Sequence, residues 1–185
     1  MTYYKKIDLG PAWQEIQKYI IEKVLPNEPQ NLQSKLFGNN DKDFMSFIYK
    51  TLSGPLEQYG FKNRIPKGAI LFGNDPNKTY GIHIDGYSLD RKNASNYALN
   101  IPIQNCEKGY MNWYKGDYNL TETKTAEGLA LLKINWNGNP TVIERTLVDV
   151  PTIVQVNIPH NVENQTDKRR LMLSLRFTPD LALPN

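Results

Sequence analysis

Between Gly60 and Phe177 the sequence is cut into short runs of β-branched, aromatic and aliphatic residues, each closed by Gly, Pro, Asn or Asp. Runs of that length suit strands rather than helices. They predict strands near Ala69–Phe72, Thr79–Asp85, Ala98–Pro102, Gly109–Tyr114, Leu129–Trp136, Thr141–Val148, Thr152–Ile158 and Arg170–Phe177. Asn137-Gly138 is a strong hairpin signal and predicts a turn between two of them. About eight such segments in series favour a β-sandwich or barrel.

The first 60 residues read differently. Trp13, Ile16, Ile20 and Val24 recur at helical spacing between Pro11 and Pro26, which predicts a helix over Pro11–Leu25. A linker rich in Asn, Gln and Pro follows. A second helix is expected over Asp41–Gln58, with Phe44, Phe47, Ile48 and Leu52 as its apolar stripe and an end or kink at Gly54-Pro55. The helices are expected to pack on one sheet. Residues 1–185 are read as one domain: a helical segment (1–60), a β core (61–178) and a tail (179–185).

Composition narrows the setting. The only cysteine, Cys106, has no internal disulfide partner, and no stretch nears the roughly 20 apolar residues of a membrane span. MTYYKKIDLG lacks the apolar region of a signal peptide, so a cytoplasmic location is expected. A net charge of +3 with scattered basic residues gives no indication of nucleic-acid binding.

The chain has only two histidines, and both fall at strand positions. In Tyr80-Gly81-Ile82-His83-Ile84-Asp85, residues i and i+2 of a strand share a face, so His83 and Asp85 can reach one ion. His160 ends the run from Thr152 and supplies a second imidazole. Two imidazoles and a carboxylate form the facial triad suited to iron(II), with positions left for O₂ and an organic co-substrate. Taken singly, each histidine is more often an ordinary surface or capping residue; the joint pattern carries the weight.

A predicted strand from Arg170 follows the polar stretch 161–169. Its alternation puts Leu171, Leu173, Leu175 and Phe177 on one face, fit to lie under the helices. Arg170, Met172, Ser174 and Arg176 take the other, toward the interior. Of the nearby arginines, Arg169 falls on the leucine side or in the loop, and Arg176 lies roughly 20 Å along the strand from Arg170. If the loop returns the strand start to His160, Arg170 is the near one. Its guanidinium suits a distal carboxylate, which it can bind through two parallel hydrogen bonds.

His83-x-Asp85, His160 and Arg170 ten residues later together resemble the 2-oxoglutarate and iron(II)-dependent oxygenases. Arg-Leu-Met-Leu-Ser-Leu and Asn96–Ile103 are similar to the aspartyl/asparaginyl β-hydroxylase branch in particular. The likeness covers about residues 68 to 178. It implies a double-stranded β-helix, a cupin-like jelly roll. It also implies iron(II) on His83, Asp85 and His160, and 2-oxoglutarate anchored by Arg170. That branch typically lacks a metal-binding carboxylate where Asp85 stands, so the triad here follows the wider superfamily. The branch's second helper for the co-substrate falls on Asn100, with Ser174 and Tyr114 as further candidates.

The resemblance further implies a hydroxylase using O₂ on a small-molecule or peptide substrate, with succinate and CO₂ released. Residues 88–93 border the entrance on this reading, and Tyr87, Tyr110, Trp113 and Tyr114 offer aromatic lining. Two other functions remain open from sequence. One is a cupin-like metal-binding protein without oxygenase activity, holding manganese or zinc; the other is a non-enzymatic β-sandwich interaction protein.

Overall fold

The computed structural model describes residues 2–38, 40–85, 94–124 and 130–183, with the side chains of Ala130 and Leu131 outside the description. The loop 88–93 and Tyr87 expected near the entrance lie outside the described residues. In chain order the elements are β1 (Tyr4–Lys6), α1 (Pro11–Tyr19), β2 (Ser34–Phe37), α2 (Lys42–Glu57), β3 (Ile65–Asn74), β4 (Lys78–Thr79), β5 (His83–Ile84) and β6 (Tyr97–Gln104). There follow β7 (Gly109–Lys115), β8 (Tyr118–Lys124), β9 (Ala130–Trp136), β10 (Thr141–Leu147), β11 (Thr152–Gln155), β12 (His160–Asn164) and β13 (Arg170–Thr178).

Two antiparallel sheets face each other. The first runs β1-β11-β6-β13-β3-β2 and the second β10-β7-β12-β5-β9-β8, with β4 also on β12. Eight strands, β3, β5, β6, β7, β10, β11, β12 and β13, alternate between the sheets except at β7 and β10, which pair within the second, so that each sheet interleaves early and late strands. That winding is the double-stranded β-helix, or jelly roll. The fold is mainly β, as the pattern of short runs predicts.

Burial follows the alternation of β13, which lies between β3 and β6. Leu171, Leu173, Leu175 and Phe177 join Ile16, Ile20, Ile48 and Leu52 in one core between sheet and helices. Met172, on the other face, joins Met111, Trp113, Val154 and Val156 between the sheets. The helices therefore pack on the outer face of the first sheet, where the leucine stripe calls for them.

Several expectations are corrected. The first helix is α-helical only to Tyr19; a π-helical turn (Ile20–Val24) and a 3₁₀ turn (Leu25–Asn27) follow, which keep Ile20 and Val24 buried. The second helix runs through Gly54-Pro55 to Glu57, since a proline in the last turn leaves only one carbonyl without its bond and Leu56 is anchored in the core. Asn137-Gly138 does not join a hairpin: β9 pairs with β8 and β5, whereas β10 pairs with β7, and Asn137 N donates to Asp117 O at 2.9 Å. The helical segment also contributes β1 and β2 to the first sheet, and β8, expected as a connection, forms a long hairpin with β9. Residues 161–164, expected as the start of a polar loop, continue β12 from His160, where their backbone pairs with β7. Among the described residues no helix is long and apolar enough to cross a membrane.

Leu173 is fully buried and Leu36 is 57 % exposed. Leu173→Ala is expected to lower unfolding free energy by about 2–5 kcal/mol in urea titrations, and Leu36→Ala by no more than about 0.5 kcal/mol.

Candidate metal centre

Strand pairing assembles the centre. β12 pairs with β5 at His160↔His83, which sets the two imidazoles side by side with ring centroids 4.5 Å apart. Asp85 follows β5, its backbone N donating to Val156 O at 3.0 Å. His83 Nε2 lies 3.4 Å and His160 Nε2 3.7 Å from Asp85 Oδ1. Ligand atoms of all three residues fall within 4.8 Å of one another, the one such group of His, Cys, Asp and Glu among the described residues. Donors on adjacent corners of one ion, each about 2.1 Å from it, stand about 3 Å apart. The side chains are close to that spacing already.

The imidazoles are oriented from behind. His83 Nδ1 donates to Gly81 O at 3.0 Å, and His160 Nδ1 to Ile158 O at 2.9 Å. A carbonyl only accepts, so each Nδ1 carries the proton and each Nε2 presents its lone pair inward. Both carbonyls are two residues before their histidine, so the local chain bend serves as the support.

Charge at the centre is set by Arg176. Its Nη2 donates to Asp85 Oδ2, and its Nη1 donates to Ser174 Oγ at 2.7 Å. Ser174 Oγ in turn donates to Asn100 Oδ1 at 2.6 Å. Burial would raise the Asp85 carboxyl, but the Arg176 guanidinium and then the two histidines hold it well below the usual carboxylate range. Burial, followed by the neighbouring His83, pushes His160 down to about 4, so it is a neutral ligand near pH 7. For His83 burial acts downward too, but the hydrogen bond and charge of Asp85 outweigh it and the pKa is raised.

The distance argument that favoured Arg170 as the arginine beside His160 is reversed. β12 carries the chain away from His160 for five residues before the turn, so β13 begins beside the far end of β12 and Arg176 returns to Asp85. Arg170 faces the same interior but lies deeper. It is 2 % exposed, its Nη1 donates to Asn74 Oδ1 at 2.8 Å, and its Nε has no partner. A Cβ at Gly109 would sit 2.3 Å from that Nε, so glycine makes room for the guanidinium. No described ion pair involves Arg170, and burial lowers its pKa. Arg169 turns away to Asp75, Leu32 O and Gly73 O.

Ser174 and Asn100 are thus joined to the centre through Arg176. Tyr114 is not: it neighbours inward-facing Trp113 on β7 and so takes the outer face, beside Asn161 and Glu163. Trp113 is fully buried, stacked on Tyr3 and Tyr4, and Tyr110 lies under Arg145 on the outer face, so neither lines an entrance. Sequence reasoning missed Arg176 as the partner of Asp85. The signal was present in strand parity, which puts it on the interior face, but its pairing depended on the direction in which β13 returns.

No family model matches the chain, and no curated protein is similar to it. Among solved structures, a prolyl-4-hydroxylase from Pseudomonas putida is similar at 11 % identity and a TM-score of 0.47, covering 95 % of this chain and 92 % of that one. AviO1 from Streptomyces viridochromogenes Tue57 is similar at 9 % identity and a TM-score of 0.39, covering 96 % and 84 %. Neither likeness supports the aspartyl/asparaginyl branch, and the fold assignment rests on the strand order itself: a double-stranded β-helix with a His-Asp-His cluster between its sheets.

Proposed function

We propose that the chain is a non-haem iron(II) and 2-oxoglutarate-dependent oxygenase, with the metal on His83, Asp85 and His160 and the distal carboxylate of the co-substrate on Arg170. The observation that carries the second half is the buried guanidinium of Arg170, which faces the interior without a carboxylate partner among the described residues. A charge so placed needs an anion, since leaving it unpaired away from water is costly. Arg176 is the poorer anchor because Asp85 and Ser174 already engage it. From His160 to Asn164, the partner of Gly109, the strand spans about 13 Å. That span suits an extended dicarboxylate together with an arginine side chain.

Iron(II) in this triad, with 2-oxoglutarate and O₂, supplies the oxidising power to put one oxygen atom into a substrate C–H bond and the other into succinate, with CO₂ released. The chain's own residues orient and shield. Gly81 O and Ile158 O fix the imidazole tautomers, and Arg176 fixes the Asp85 carboxylate. Ser174 and Asn100 hold Arg176 in turn. The buried interior formed by Met111, Trp113 and Met172 keeps bulk water from the inner side.

A thermal-shift titration with Mn(II), with and without N-oxalylglycine, is the direct test. Mn(II) is expected to raise Tm and N-oxalylglycine to raise it further; no shift with either would leave a non-enzymatic sandwich. Asp85→Ala is expected to lower Mn(II) affinity by at least about tenfold and to abolish 2-oxoglutarate turnover. Arg170→Ala is expected to keep Mn(II) binding but lose the N-oxalylglycine increment, whereas Arg176→Ala weakens Mn(II) binding through Asp85. Equal effects of the two on both ligands would sink the division of roles.

A further inference from the structure

The edge of the sandwich beside the metal centre has two unlike walls. On the first sheet, Leu36 pairs with Ile70 in register, and Ile70 with Ser174, so these side chains share the interior face. Phe72, paired with Met172, shares it too. Yet Leu36 is 57 % exposed, and Ile70 and Phe72 are only partly buried and belong to none of the three apolar clusters. These side chains leave an apolar surface facing inward and uncovered by any described apolar cluster.

On the second sheet, β9 flanks β5 with His83 opposite Lys133, so Lys133 projects from the same face as the metal ligand beside it. Lys133 is exposed, and none of the described ion pairs involves it. Its companions on that face are Thr121, directly opposite, and Asn135, which donates to Thr121 Oγ1 at 3.2 Å; both are uncharged. Among the described side chains of β9, Leu132 and Ile134 point the other way into a cluster with Ile84. Among the described residues, the hairpin therefore turns Lys133, Thr121 and Asn135 toward the gap between the sheets.

We propose that this mouth binds the substrate, and that the substrate is an amphipathic anion: an apolar body on Leu36, Ile70 and Phe72, and a carboxylate on Lys133 beside His83. The assignment of this ligand as substrate rests on the oxygenase reading; its binding does not. An apolar surface facing a lysine, with Asp85, the acid next to His83, already engaged by Arg176, complements a carboxylate on a hydrocarbon and opposes a cation. Continuity with His83 and Asp85 would put the body of such a ligand next to the metal.

The test is calorimetric titration of the full chain loaded with Mn(II), using decanoate, decanol and decylammonium as probes. Decanoate is expected to bind roughly fivefold more tightly than decanol, and decylammonium most weakly. Lys133→Gln should bring decanoate to parity with decanol while Mn(II) and N-oxalylglycine binding persist. Leu36→Ser should weaken decanoate and decanol by the same factor. An unchanged decanoate-to-decanol ratio in Lys133→Gln would overturn the proposal, as would competition between decanoate and N-oxalylglycine, which would put the carboxylate at Arg170. Loss of Mn(II) binding in the wild-type chain tells against the oxygenase reading alone, because the probe ratios can still be measured without metal.

Discussion

Everything in this molecule hangs on a strand with two buried faces. β13 lies between β3 and β6, and its nine residues must satisfy a helix-covered core on one side and the space between the sheets on the other. Leucines and a phenylalanine meet the first demand with apolar area, at about 25 cal/mol per Å² removed from water. The second face is different in kind: Arg170, Met172, Ser174 and Arg176 carry two guanidinium groups and a hydroxyl into an interior that disfavours both. Stability comes from one side of the strand, and the other side is free to hold charge.

The two guanidinium groups solve that problem differently. Arg176 meets a carboxylate, and Asp85 is consequently held ionised in spite of burial. The same carboxylate faces both Nε2 atoms, so one acid serves an arginine through one oxygen and two histidines through the other. Arg170 meets no carboxylate among the described residues, only the Asn74 amide oxygen, the Cys106 thiol and a space cleared by Gly109. The two differ in this respect: the Arg176–Asp85 pair is neutral as it stands, and the Arg170 guanidinium is not matched by a carboxylate among the described residues.

Much of this was legible in the residues. The period-two alternation of 170–177, the same-face spacing of His83 and Asp85, and the scarcity of histidine gave the faces, the His-Asp-His cluster and the helix-backed sheet. Pairing was not legible. A local turn signal at Asn137-Gly138 could not reveal that β9 and β10 belong beside different partners, because partner choice is set by burial over long sequence separation. The 161–169 stretch looked like loop since its side chains are polar; its first part, 161–164, is held in β12 by backbone bonds, to which side-chain polarity is a poor guide. From that one misreading came the wrong distance order for Arg170 and Arg176.

The interleaving of early and late strands also has a kinetic side. Tyr4 pairs with Val154, and β13 inserts between β3 and β6, so the first sheet closes only through contacts spanning most of the chain. Such long loops must be closed before their contacts repay the entropy, which slows folding. Until the last strand is seated, β3 and β6 each lack a neighbour and Asp85 lacks its arginine. The geometry of the His83–Asp85–His160 cluster is therefore a late product of folding, and a nascent chain shows its two histidines to solvent well before it can hold them together.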